Sequence, residues 1–305
     1  MSIIISTYQM ERFSDLFEML ASLKRQSYKN LEILLIVDGS ELYKKITNHL
    51  QVLDEINITC FLNEKNYGLA YSRNIGVKRA CGDVIAFIDD DTLADINWAQ
   101  EIIWTYEKFG PIGVGGKLLP LWIGVKPDYF PEELYWIVGA THKGFSETEE
   151  TKETRNTFGA NMSFRREVFE KIGLFNEGFG LNKTLQMQAE ETEFSVRAAR
   201  QLRRKILYNP NAVVYHKVSQ GKTSLRYILN RAFWQGYSKH YLNSIYRSNT
   251  LSTESKYLNH LMKFYLNSIK SFTLKPSKTL KQIFVVTAVI MVTGFGYIRG
   301  LIESI

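Results

Sequence analysis

Val84-Ile85-Ala86-Phe87-Ile88-Asp89-Asp90-Asp91 is an unbroken apolar run that ends on three consecutive carboxylates. A short run of this kind, with Gly82 before it and acid after it, suits a strand buried on both faces, as in a parallel sheet. Outward from it the same grammar repeats. Residues 2 to 6 and Glu32 to Val37 are Ile- and Val-rich runs separated by an amphipathic stretch, Phe13 to Gln26. Ile58 to Leu62 and the run at Val84 are likewise separated by Leu69 to Ala80, and Trp98 to Phe109 follows as a further helix. Strand, helix, strand at these lengths predicts a doubly wound α/β unit over residues 1 to 110.

In such sheets ligands sit beyond the carboxyl ends of the strands. Here those ends read Ser6-Thr7-Tyr8, Asp38-Gly39-Ser40 and Asp89-Asp90-Asp91. Adjacent carboxylates repel unless a cation lies among them, and oxygen donors suit Mg²⁺ or Mn²⁺ shared with substrate phosphates. The plain alternative is a solvated acidic turn that caps the next helix. Asp38 is placed to accept from a nucleobase or ribose, or is a simple turn aspartate. Asn66-Tyr67-Gly68-Leu69-Ala70 opens the next helix, from which Arg73 can reach a phosphate or base. Neither GxGxxG nor the GxxxxGK phosphate loop occurs, which disfavours dinucleotide and P-loop sites.

Beyond residue 110 the periodicity weakens. Gly110 to Arg155 mixes Trp122, Tyr135 and Trp136 with an acidic run from Glu147 to Glu153, and is expected to be a substrate-facing insertion with a mobile loop. The aromatics there suit sugar stacking or a small core. Helices are predicted at Arg165 to Ile172 and Glu190 to Leu202, with a strand near Ala212 to Tyr215. Glu190 and Glu191 open their helix after a glycine-rich stretch at Gly178 to Gly180, where a carboxylate can deprotonate a hydroxyl or merely complement the helix dipole. His216 follows a β-branched run, either as a metal or diphosphate contact or as a structural residue.

The net charge of +7 over 305 residues hides a division. Residues 1 to 199 carry 21 Lys+Arg against 29 Asp+Glu, and residues 200 to 305 carry 17 against 2. The pattern from Leu225 is helical and basic, and Ile283 to Ile298 holds no charge. At ~1.5 Å per residue that run is about 24 Å long, short of a ~30 Å hydrocarbon core. A span with Arg299 snorkelling and a helix lying in the interface are both open, with a buried core helix as the plain alternative. The basic lysines ahead of it, Lys270, Lys275, Lys278 and Lys281, suit an anionic membrane surface, and no nucleic-acid partner is expected. Two cysteines without a CxxC pair and an N-terminus without a signal-peptide pattern suggest a reducing, cytosolic compartment.

Together these residues resemble family 2 glycosyltransferases of the GT-A fold over about residues 2 to 240. The matching pieces are Ser6-Thr7-Tyr8, Asp38, Asn66-x-Gly68-Leu69-Ala70-x-x-Arg73-Asn74-x-Gly76, the aspartate run in the place of the DxD motif, Gly159-Ala160-Asn161-Met162-Ser163-Phe164-Arg165 and Glu190-Glu191-Thr192-Glu193-Phe194. The resemblance implies a Rossmann-like, mixed but mostly parallel sheet flanked by helices, with a basic helical C-terminal extension. On this reading residues 1–220 are the catalytic domain, divided into a nucleotide-binding half (1–110) and an acceptor-binding half (111–220). Residues 221–282 are the basic extension and 283–302 a membrane-associated or transmembrane helix.

The same resemblance implies that Ser6, Tyr8, Asp38 and Arg73 hold the nucleoside and that Asp89 and Asp90 contact ribose or donor sugar. Asp91 binds Mn²⁺ or Mg²⁺, with His216 facing the metal or diphosphate. The general base maps onto Glu191, a glutamate where the family has aspartate, and Glu190 remains a candidate. The implied reaction is inverting transfer from a nucleoside-diphosphate sugar, UDP-sugar first, to a glycan or polyprenyl-linked acceptor at the cytoplasmic face of the cell membrane. A sugar nucleotidyltransferase, a receiver-type switch and a non-catalytic membrane-bound sugar-binding module are the competing readings.

Overall fold

The computed structural model describes residues 1–50, 57–145, 149–179, 189–246 and 252–303. Glu147 of the acidic run and Gly180 of the glycine-rich stretch lie outside the described residues. The opening apolar run forms β1 (Ser2–Thr7), followed by α1 (Phe13–Lys24) and β2 (Glu32–Asp38). A helix not anticipated from the sequence, α2 (Ser40–Leu50), leads towards β3 (Ile58–Asn63). It buries only Leu42 and Ile46, so its apolar stripe is thin and its periodicity faint. Then come α3 (Leu69–Arg79), β4 (Val84–Phe87), β5 (Thr92–Ala94) and α4 (Trp98–Phe109). α3 begins after Gly68, whose φ of +98° suits glycine and whose N–H donates to Asn66 Oδ1 at 2.9 Å.

The middle of the chain is more regular than its sequence suggests. β6 (Gly113–Trp122) runs through what reads as an irregular insertion, because Gly113, Gly115 and Gly116 remove the alternation by which strands are recognised. A Cβ at Gly116 would come within 2.0 Å of the Ala212 carbonyl, so close backbone approach explains that glycine. A short strand β7 (Lys152–Thr154), then β8 (Met162–Arg165) and α5 (Arg166–Ile172), lead to α6 (Glu190–Leu202). β9 (Ile206–Val218) is longer than predicted because Asn209-Pro210-Asn211 interrupts its apolar pattern without ending the strand.

Strand order is β3-β2-β1-β4-β8-β6-β9-β5, with β7 on β9. β3, β2, β1 and β4 run in parallel, whereas β8 pairs antiparallel with β4 and β6, and β9 antiparallel with β5 and β7. Ile3, Ile4 and Ile5 and Leu34 to Val37 are buried on both faces, as the parallel reading requires. One core cluster gathers Ile4, Ile36, Phe87, Phe164, Phe169 and Phe194 beneath the helices. Phe194 lies 4.8 Å from Phe164, 4.8 Å from Phe169 and 4.6 Å from Phe175, centroid to centroid, and so moors α6.

The chain divides into two compact units. One contains Met1–Leu119, the described part of 149–179 and Glu190–His216; the other contains Pro120 to residue 145 and the chain from Lys217 onward. In the second unit Trp122, Phe130 and Tyr135 pack on one another, and Lys126 donates to the Tyr135 hydroxyl at 2.8 Å. Its helices are α7 (Leu225–Tyr246), α8 (Ser252–Phe272) and α9 (Pro276–Glu303). Among the described residues α9 is the one helix long and apolar enough to cross a membrane.

Candidate active site

Strand register assembles the site. The parallel pairs Thr7↔Val37 and Asp38↔Asn63 bring Thr7, Asp38 and Asn63 to the same edge of the sheet. Asp38 is buried, and its Oδ1 accepts from Asn63 Nδ2 at 2.8 Å and Ser72 Oγ at 3.1 Å. Burial raises its pKa above the ordinary carboxylate value, and the two donors oppose that rise. Ser6 Oγ is buried and has no hydrogen-bond partner among the described residues, while Tyr8 is exposed.

The three aspartates do different things. Asp90 points inward, where Thr7 Oγ1 and Arg12 Nη1 each donate to it at 2.7 Å. Burial raises its pKa, and Arg12 and Thr7 hold the rise back. Arg12 also reaches Asp91 Oδ2 at 3.2 Å; burial disfavours its charge, but Asp91 and Asp90 outweigh that and keep it protonated. Asp91 in turn faces His216, with Oδ1 and Nε2 3.2 Å apart. The antiparallel pair Thr92↔His216 of β5 and β9 is what brings this distant histidine to the aspartates.

One donor atom each from Asp89, Asp91 and His216 lies within 4.8 Å of the others. Ligands about 2.1 Å from an octahedral ion stand about 3 Å apart when adjacent and about 4.2 Å when opposite, so the set would hold one small divalent ion after drawing in by some tenths of an ångström. Two carboxylates with an imidazole suit Mn²⁺ well, since Mg²⁺ favours oxygen throughout.

Arg73 joins this group to the head of α6. Only 3% of its side chain is exposed, and it reaches Glu190 Oε1 at 3.2 Å, Asp89 Oδ1 at 3.4 Å and the Gly159 carbonyl at 3.0 Å. Glu190 is buried and its pKa is pushed up to about 7, first by desolvation and then by neighbouring Glu191, against the pull of Arg73. Glu191, one residue on, is half-buried at the start of α6. Asn161 braces the layer below: its Oδ1 accepts from Trp98 Nε1 at 2.9 Å and its Nδ2 donates to the carbonyls of Lys117 at 3.0 Å and Ala212 at 2.8 Å.

The structure thus gathers Ser6, Asp38, Arg73, Asp89, Asp90, Asp91, Glu190, Glu191 and His216 into one unit of the fold. Sequence reasoning missed Arg12, Asn63 and Ser72. Asn63 was readable as the end of a parallel neighbour of Asp38; Arg12, in a turn after β1, carries no such signal. A cavity of about 520 Å³ opens at the opposite ends of the strands, against Met1, Glu32, Cys81 and Val84, and shares no residue with this site.

Sheet, acidic triad and buried arginine together define a GT-A glycosyltransferase, and solved structures of that fold superpose on the chain. A mannosyltransferase from Pyrobaculum calidifontis, crystallised with GDP-mannose and Mn²⁺, aligns with a TM-score of 0.61 at 14% identity, covering 96% of this chain and 86% of that one. GalNAc-T7, crystallised with UDP, GalNAc and Mn²⁺, gives 0.58 at 19% identity over 85% of this chain, which spans 53% of that longer one. The family description Glycosyl transferase family 2 matches residues 2–173. A glucosyl-dolichyl phosphate glucuronosyltransferase of Haloferax volcanii is 36% identical over 308 residues, covering 99% of this chain and 96% of that protein. The chain belongs to glycosyltransferase family 2 and is a glycosyltransferase.

Proposed function

We propose that the protein is an inverting, divalent-metal-dependent enzyme that moves a sugar from a UDP-linked donor to the terminal hydroxyl of a polyprenyl-phosphate-linked sugar at a membrane. The observation that carries this reading is the convergence of Asp89, Asp91 and His216, with Arg73 tying Asp89 to Glu190. The Haloferax relative, similar over nearly the whole chain, supports glucuronate as the transferred sugar and a lipid-linked glucoside as acceptor.

Ser6, Tyr8 and Asp38 hold the nucleoside. With Oδ1 of Asp38 taken by Asn63 and Ser72, its other oxygen is free to accept from base or ribose, and the buried Ser6 hydroxyl gains a partner there. Asp89, Asp91 and His216 would hold Mn²⁺ or Mg²⁺, which supplies Lewis-acid charge to the departing diphosphate. Asp90 and Arg12 fix the backbone turn that carries the outer two aspartates. Arg73 is a positioning residue: it is too deeply enclosed to clasp a nucleoside and instead orients Asp89 and Glu190.

Glu191 is the general base. Its partner Glu190 is committed to Arg73, so the carboxylate that meets an acceptor is Glu191. It takes the acceptor hydroxyl proton; the oxygen bonds to the anomeric carbon as the bond to the diphosphate breaks on the opposite side, and configuration inverts. The basic C-terminal third suits an acceptor held at an anionic cytoplasmic leaflet.

The test is transfer in detergent from radiolabelled UDP-glucuronate to a short polyprenyl phosphoglucose, with and without Mn²⁺. Labelled lipid product with inverted anomeric configuration is expected. No transfer to that acceptor from any UDP-, GDP- or dTDP-linked sugar would overturn the proposal.

A further inference from the structure

The second unit presents two long apolar stripes that its own packing does not cover. On α8 the stripe is Leu258, Met262, Leu266, Ile269 and Phe272, each between 43% and 69% exposed. At ~100° per residue these five fall within about 120° of the helix circumference. Lys263 and Lys270 follow on one flank, and the buried residues Leu261, Phe264 and Ser268 occupy a separate face. The helix is held in place by Tyr257, whose hydroxyl donates to the Glu133 carbonyl at 2.7 Å and accepts from Trp136 Nε1 at 3.1 Å.

On α9 the layout repeats. Leu280, Phe284, Met291, Phe295, Ile298 and Ile302 are each at least 51% exposed and fall within about 60° of one another. Lys281 and Arg299 share one flank of that stripe, and Val285, Val286, Val289, Gly296 and Gly300 form the opposite, buried face. The two helices are consecutive, joined by Thr273 to Lys275, and Tyr265 Oη meets Thr287 Oγ1 at 2.9 Å.

The buried face of α9 is taken by α7. A Cβ on Gly236 would come within 1.9 Å of the Thr293 carbonyl oxygen, and one on Gly296 within 2.0 Å of that of Phe233, so the two backbones touch. His240 packs on Tyr297 with ring centroids 5.2 Å apart, and Tyr237 donates to Glu303 at 2.9 Å. α7 carries Arg226, Arg231 and Lys239. If α9 crossed the bilayer, α7 would have to follow it with those charges or abandon this interface, and either is unfavourable.

The geometry points to a monotopic anchor: α8 and α9 lie as a hairpin in one leaflet of an anionic membrane, each with its apolar stripe in the acyl boundary and its basic flank at the headgroups. Residues 252–303 hold seven Lys and Arg against Glu254 and Glu303, the charge complement of such a surface. Apolar faces this extensive are not left to water on a soluble monomer. The inference rests on the proposal that the enzyme works on a lipid-linked acceptor, and adds how the chain is held there.

The full-length protein is floated with phosphatidylcholine vesicles with and without phosphatidylglycerol. Binding is expected to require the anionic lipid and to weaken with salt. The α8 pair Met262→Glu/Leu266→Glu and the α9 pair Phe284→Glu/Met291→Glu should each weaken binding about a hundredfold or more, since each removes two buried apolar side chains from the lipid. Because these positions are exposed, melting and donor-dependent transfer to a detergent-solubilised acceptor should be unchanged.

A tag placed after Ile305 should be digested in cytoplasm-out membrane vesicles and protected in right-side-out ones; protection in the cytoplasm-out vesicles would mean α9 spans, and overturn the inference. An α8 pair that floats like wild type, or a wild-type protein that dimerises through these stripes and ignores vesicles, would also overturn it. Absence of transfer in detergent with flotation intact would instead defeat the acceptor proposal.

Discussion

Arg73 is the residue that ties the aspartate cluster to the head of α6. Its guanidinium is enclosed, and it holds Glu190 on one side and Asp89 on the other. Replacing it by glutamine would leave Glu190 buried without its cation; removal of one partner of such a pair costs up to about 3–5 kcal/mol where the charge stays, and less where the carboxyl, already pushed up to about 7, takes a proton instead. We expect Arg73→Gln to lower the urea midpoint accordingly, and the Arg73→Leu/Glu190→Leu double variant to be less destabilised than the sum of its singles, because the stranded charge goes with the pair. On the proposed mechanism Glu191, half-buried, serves the reaction and not the core. Glu191→Gln should lower kcat by about 10²–10⁴, the range for a lost general base, with donor KM and melting temperature little changed. Unchanged kcat in that variant would move the base to Glu190.

At the scale of elements, small buried contacts hold the layers in register. Asn161 satisfies the indole N–H of α4 and two carbonyls, on β6 and β9. Asn161→Leu keeps the volume and strands all three partners; at about 1–3 kcal/mol for each group left unpaired, a loss of several kcal/mol in denaturant unfolding is expected. The α7–α9 crossing makes a sharper comparison. Gly236→Val has no room against the Thr293 backbone, whereas a Cβ at Gly294 meets nothing within 4 Å. Hydrogen exchange in α7 and α9 should therefore accelerate in Gly236→Val and slow slightly in Gly294→Ala, which gains about 0.5–1 kcal/mol of helix preference. The same comparison explains why the glycine-rich β6 escaped sequence reading: its glycines answer to neighbouring backbone and erase the pattern that marks a strand.

Charge divides the whole molecule, with an acidic first part that holds the gathered carboxylates and a basic remainder rich in helix. One acid-sensitive group lies in the second unit. His142 lies against Tyr257, centroids 4.7 Å apart, and desolvation pushes its pKa down to about 4. A base held neutral in the fold contributes stability above its unfolded pKa of about 6.5, and that contribution is lost as pH falls to about 4. The melting temperature should decline across that window in wild type and more shallowly in His142→Gln. Apolar runs ending in Ser6-Thr7-Tyr8, Asp38 and Asp89-Asp90-Asp91 were enough to foretell the parallel sheet, because strand periodicity is a local property of the chain; the family came from resemblance, which needed the motifs around Gly68, Asn161 and Glu190 as well. The local pattern also placed α6 at Glu190–Leu202. It could not tell which aspartate turns inward, that Arg12 and Arg73 would be spent on carboxylates, or that the hidden face of α9 belongs to α7. Those are matters of which distant groups become neighbours, and they follow from strand register and helix crossing, which arise only when the whole chain packs.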